Sequence, residues 1–207
     1  MATYHTNGPR LVLASGSAVR ARLLRDAGLA FEVRDSHVDE DVVKKRFAES
    51  DDRADTDALA LKLADEKALA VSRIETGALV IGADQIMSCE GRRYDKPRDM
   101  AEARANLLAL RGKTHTLHSA MVLAKDGAIV WRHVGHAHLA MRHFSDEFLD
   151  EYLNICGEKV KTSVGCYQLE GPGIQLFDTI DGDYFTILGL PLLALLPELR
   201  RQGTAPI

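Results

Sequence analysis

Apolar and polar positions along the chain switch between two periods. Leu11 to Ala14 is a short apolar run that reads as a strand, broken by Ser15-Gly16-Ser17. Ala18 to Ala27 follows with helical spacing, with Ser17 as N-cap and Gly28 as the stop. Phe31 to Arg34 alternates as a second strand, Asp39 to Glu49 reads as a polar helix, and Ser50 to Thr56 as an acidic loop. Thr56 to Arg73 is a strong helix closed by Gly77. The run beginning at Leu79 opens the next strand, with its turn at Glu90-Gly91. Asp99 followed by Glu102 starts a helix in the manner of a capping box, and Gly112 ends it after Leu110. Thr114 to Ala124 and Ala128 to Arg142 read as strands joined through Lys125-Asp126-Gly127, a hairpin signal. Ser145 caps a helix to about Ile155, and short strands are expected at Gly165 to Leu169 and Gln175 to Ile180. Pro191 opens a last helix to Arg200, after which the tail beyond Gln202 should fray. Helices alternating with strands, and hairpins in the second half, predict an α/β or α+β fold on a mixed, twisted sheet.

Three places break these patterns in ways that ask for chemistry. Asp84 follows the apolar run Leu79-Val80-Ile81 directly after Gly82 and Ala83, where nothing obvious solvates a carboxylate. It reads either as a strand-end Asp capping a turn, or as an acid fixed beside small residues that permit close approach, able to hold a divalent cation or take a proton from water. Lys67 falls inside the apolar side of its helix, among Leu59, Ala60, Leu63, Ala64, Ala68, Ala70 and Val71. It either snorkels to water or turns inward to face an acid or a phosphate. The turn Ser15-Gly16-Ser17 between strand and helix outlines an anion site, with free N–H groups, two hydroxyls and Arg20 to grip a phosphate. Lys96, held extended by Pro97, adds a cation.

Other candidates have simpler readings. His136 and His138 share a strand face with Arg142, which suits an exposed polar face better than a metal. No Gly-x-Ser-x-Gly elbow surrounds Ser15 or Ser17. Cys166 reads as a buried structural thiol.

Composition narrows the classes. The 207 residues carry a formal charge of -4, with 46% hydrophobic and 27% charged residues, which is ordinary for a globular protein and argues against nucleic-acid binding as the main task. No apolar run approaches a membrane span, and the opening MATYHTNGPR has no signal-peptide core. Three widely spaced cysteines, Cys89, Cys156 and Cys166, fit neither a disulfide framework nor a zinc site, so a cytoplasmic location is expected.

Several stretches, taken in order, resemble one family. "LASGSAVRARLL" resembles the opening of the Maf family, and "VDE", "ADEKA", "IGADQ", "DKP" and "GCYQLEGPGIQLFDTIDGDYFTILGLP" follow in that family's order, from about Leu11 to Arg200. The resemblance implies an inosine-triphosphatase-like fold: a long mixed sheet flanked by helices, with a deep central cleft between two lobes. Residues 1–207 would then form one domain, structured over about 10–200. It implies a house-cleaning hydrolase that converts a nucleoside triphosphate, ordinary or modified, to the monophosphate and pyrophosphate with Mg²⁺ or Mn²⁺. It assigns Ser15, Ser17 and Arg20 to the phosphate loop, Glu40 to the metal, Lys67, Asp84 and Lys96 to catalysis (Asp84 as base, metal ligand or both), and Gln85 and Glu170 to the substrate. A homodimer is expected by analogy, with no nucleic acid or membrane partner. Ala18 stands where the family usually has Pro, and Val19 where many members carry a first Arg, so one phosphate contact is expected to be missing or replaced. Gln85 in place of Thr, and "LEG" in place of "IQG", lean toward the branch associated with 7-methyl-GTP rather than dTTP and UTP. The alternative is a nucleotide-binding regulator of cell division with little turnover.

Overall fold

The computed structural model describes Tyr4 and residues 8–206. Its elements, in chain order, are β1 (Leu11–Ala14), α1 (Ala18–Asp26), β2 (Glu32–Val33), α2 (Glu40–Ala48), α3 (Thr56–Ser72), β3 (Leu79–Cys89), β4 (Arg92–Tyr94), α4 (Met100–Leu110), β5 (Thr114–Lys125), β6 (Ala128–Met141), α5 (Asp146–Cys156), β7 (Phe177–Asp181), α6 (Tyr184–Ile187) and α7 (Leu192–Arg201). The strands form one mixed seven-stranded sheet in the order β2-β1-β3-β5-β6-β7, with β4 also paired to β3. The expected mixed α/β architecture is therefore borne out. None of the described helices is long and apolar enough to cross a membrane.

The local signals act as their chemistry dictates. The side chains of Ser17, Asp39, Asp55, Asp99 and Ser145 each accept the backbone N–H three residues on, capping α1, α2, α3, α4 and α5. The β3–β4 turn at Glu90-Gly91 and the β5–β6 turn at Asp126-Gly127 both place two successive residues at positive φ, the conformation that matches hairpin twist.

Two compact units divide the chain. Unit 1 comprises residues 1–85, 119–135 and 184–207. In it β1 runs parallel to both β2 and β3, with Ala14 opposite Gly82. Alternation along β1 and β3 separates two faces. Leu11, Leu13, Leu79, Ile81 and Ala83 pack with Leu23, Leu24, Leu195 and Leu199 in one core cluster. Val12, Ala14 and Val80 pack with Val71 of α3 in another. Unit 2 comprises residues 86–118 and 136–183, and carries β4, α4, α5, β7 and parts of β3, β5 and β6.

Three expectations need correction. Residues 165–169 form turns and irregular chain rather than a strand. Cys166 lies at φ 58°, incompatible with extension. The Ser163 hydroxyl accepts from Tyr167 N (3.0 Å) and donates to Tyr167 O (2.7 Å), taking over the pairing a sheet partner would have made. The tail does not fray directly after Gln202: Gly203 turns the chain back at φ 76°, and Thr204 and Ala205 are buried, with Thr204 N and Oγ1 both donating to Leu199 O. Asp84 is no strand-end residue, since β3 continues five residues past it to Cys89.

Candidate active site

Asp84 owes its position to strand period. Val80, Gly82 and Asp84 point to the face of β3 that α3 covers, while Ala83 and Gln85 point to the other. Gly82 lets the helix come close: a Cβ there would stand 2.3 Å from Ala64 O and 2.8 Å from Ala68 Cβ. One turn beyond Ala64, Lys67 takes the inward of its two readings. It is 8% exposed, and its ammonium donates to Asp84 Oδ1 at 2.7 Å. Glu40, in the first turn of α2, places Oε1 2.7 Å from the same Nζ. One ammonium therefore bridges two carboxylates that are 44 residues apart in the chain.

The phosphate-loop residues meet beside this trio, and several of their donors also bond to the protein itself. Because Ala14 pairs with Gly82, the loop after β1 lies alongside Ala83. Arg20 Nε donates to Gly189 O (2.8 Å), and Nη1 donates to Ala83 O (2.9 Å) and Ser15 Oγ (3.3 Å). Ser15 Oγ also accepts from Ser17 N (3.2 Å), and Ser17 Oγ caps α1. Arg20 thus grips backbone carbonyls as a fork. Gln85 does the same from the other face of β3: its amide nitrogen donates to Ser119 Oγ (2.8 Å) and to Thr186 O and Ile187 O (both 3.1 Å). Arg20 and Gln85 together hold the 186–189 segment, for which Gly189 supplies φ 84°. Ser119, Thr186 and Gly189 were not singled out from the sequence. Thr186 and Gly189 lie in the "TILGLP" stretch of the longest resembling motif, whereas no motif marks Ser119.

A family model described as Maf-like protein matches residues 10–202. The chain belongs to the Maf family. Its relatives include a protein of Paramagnetospirillum magneticum named nucleoside triphosphate pyrophosphatase, 54% identical over 93% of this chain and 98% of its own. A protein of Rhizobium meliloti named 7-methyl-GTP pyrophosphatase is 52% identical over 94% of this chain and 97% of its own. A Caulobacter vibrioides protein named nucleoside triphosphate pyrophosphatase is 50% identical over 95% and 98%. A solved HAM1 protein from Coxiella burnetii overlaps 64% of this chain and 73% of its own, with a TM-score of 0.40 and 17% identity.

In this Maf family member the trio is electrostatically tense. Burial pushes the Asp84 carboxyl upward, against the pull of Lys67 and Arg20. Burial lowers Arg20, against Asp84 and Glu40. The donor set also fits the cation that the Maf resemblance implies. Glu40 and Asp84 offer hard carboxylate oxygens gathered around one point already occupied by positive charge, which suits Mg²⁺ or Mn²⁺ completed by water and phosphate oxygens.

Lys96 and Glu170 belong to unit 2, where both side chains are exposed. His136 and His138 are exposed too: His138 Nδ1 pairs with Thr116 Oγ1 (3.0 Å), and the His136 ring meets His118 edge-on at 5.3 Å. Cys166 is buried, with its thiol pushed up to about 12 by burial, as an inert structural thiol should be. All three cysteines are free.

Proposed function

We propose that this protein hydrolyses a nucleoside triphosphate to the monophosphate and pyrophosphate, with 7-methyl-GTP its preferred substrate. The observation that carries the reaction class is identity of 52–54% over more than nine tenths of the chain to relatives named as pyrophosphatases of such nucleotides. The Asp84–Lys67–Glu40 trio, with Asp84 and Lys67 buried, supplies groups suited to that chemistry.

Water attacks the α-phosphorus. Its oxygen forms the new P–O bond, the bond from the α-phosphorus to the bridging oxygen breaks, and pyrophosphate leaves with that oxygen. Asp84 orients the water and takes its proton, a role favoured by a carboxyl held above its ordinary range. Lys67 and Lys96 neutralise charge on the phosphates. Ser15, Ser17 and Arg20 bind the phosphates and Gln85 the rest of the substrate, while Arg20 and Gln85 also fix the 186–189 segment. Glu40 and Asp84 would hold a Mg²⁺ or Mn²⁺ ion, which when bound supplies charge neutralisation of phosphate oxygens. Glu170 contacts the substrate. Residues 1–207 work as one cytoplasmic catalytic domain without nucleic acid or membrane, and as a homodimer.

A pyrophosphate-release screen across 7-methyl-GTP, GTP, dTTP and UTP, with and without EDTA, tests this reading. It predicts release fastest from 7-methyl-GTP and abolished by EDTA. Tight nucleotide binding with no pyrophosphate from any of them would favour the regulator instead.

A further inference from the structure

The Lys67 ammonium sits 2.7 Å from oxygens of both acids that would hold the cation. Its side chain is 10% exposed, as is that of Asp84. Two positive centres cannot share so small and poorly solvated a place without strong repulsion. We infer that Lys67 is a built-in competitor for the divalent cation: it fills the Glu40–Asp84 pair in the nucleotide-free protein, and gives the pair up when a triphosphate offers its ammonium another anionic partner. The inference rests on the reading of Glu40 and Asp84 as cation-holding acids.

Three consequences follow from the geometry. Without nucleotide, cation affinity is held down by the fraction of molecules in which the ammonium occupies the pair. Nucleotide and cation each favour the binding of the other, because both draw Lys67 off the carboxylates, and by linkage the coupling is reciprocal. Lys67 therefore stabilises the buried Asp84 and the half-exposed Glu40 while the site is idle, and becomes a phosphate-binding group only when both ligands arrive. A neutral side chain at 67 would leave Asp84 and Glu40 with only the Arg20 guanidinium to offset two negative charges, for which a cation is the natural partner.

The test is Mn²⁺ binding without nucleotide at pH 8, read from the electron paramagnetic resonance signal of free Mn²⁺ as protein is added. Wild type, Lys67→Met, Lys67→Gln and Lys67→Arg are compared, with circular dichroism confirming the fold and Lys67→Gln guarding against a misfolded Met variant. Both neutral variants should bind Mn²⁺ at least about tenfold more tightly than wild type. The Arg variant, which keeps the charge, should bind no more tightly than wild type. Adding Glu40→Gln and Asp84→Asn to Lys67→Gln should abolish the gain. Wild-type binding that is lost with Glu40→Gln and Asp84→Asn, but is not tightened by either neutral variant, would overturn the competition and leave the cation reading intact. Binding absent from every variant, or indifferent to Glu40→Gln and Asp84→Asn, would overturn the cation reading and the inference with it.

Discussion

Each unit buries a titratable side chain on a sheet strand, and the two are accommodated in opposite ways. In unit 1, Asp84 on β3 is 7% exposed and faces an ammonium, a second carboxylate and a guanidinium. In unit 2, His115 on β5 is 0% exposed and meets no charged group among the described residues. Its Nε2 pairs with the Tyr167 hydroxyl at 2.8 Å, its ring lies against Tyr167 and Phe177, and its Nδ1 has no hydrogen-bond partner among the described residues. Burial alone pushes His115 down to about 4, so it stays neutral at physiological pH. A fold that needs only a polar filler can keep it uncharged. A set of opposed charges gathered around a buried acid is costly as structure, and fits the proposed chemistry, which needs charge in place.

The sharpest way to break this contrast is Asp84→Asn. It keeps shape and a hydrogen-bonding site for Lys67 but removes the base, and kcat/KM should fall on the order of 10²–10⁴-fold. Steady-state pyrophosphate release checks this. Next comes acid. The folded protein holds His115 near 4 while the unfolded chain holds it near 6.5, so the unfolded state binds more protons between those values. Stability from this group is full above about pH 6.5 and is lost as pH falls toward 4, by about 3 kcal/mol. Denaturant melts at pH 7 and pH 4 should show this loss in wild type, and a smaller one in His115→Gln. Gly82→Ala comes third. The new methyl strikes the α3 backbone at Ala64, so stability should fall by about 1–3 kcal/mol and turnover should fall with it, as Lys67 is pushed away from Asp84. The smallest effect is Tyr167→Phe, which removes one buried hydrogen bond. Thermal unfolding should report a loss on the order of 1 kcal/mol, with kcat unchanged.

Much of the unit 1 site was legible because its determinants are local. The Ser17 cap, the helical wheel that puts Lys67 on an apolar face, and the small residues before Asp84 all lie within a few positions of the feature they explain. The carbonyl contacts of Arg20 are illegible for the opposite reason. Its acceptors Ala83 O and Gly189 O lie 63 and 169 residues away, and the sequence does not say that a phosphate-loop guanidinium will spend its fork on carbonyls. Gln85, expected at the substrate, likewise has its amide nitrogen tied to Ser119, Thr186 and Ile187, which no local pattern announces. Residues 165–169 are expected as a strand from the sequence, but the positive φ at Cys166 and the Ser163 clasp decide otherwise. The His115–Tyr167 pair joins residues 52 apart, and no pattern in either strand or loop announces it.

The account stands most directly on single-turnover pyrophosphate formation by Asp84→Asn at saturating 7-methyl-GTP and Mg²⁺, with Tyr167→Phe run beside it. The account predicts that the Asn variant, folded and binding nucleotide, is slowed at least about 100-fold while the Phe variant keeps the wild-type rate. An Asn variant within about threefold of wild type would contradict the claim that the buried acid of unit 1 performs the chemistry.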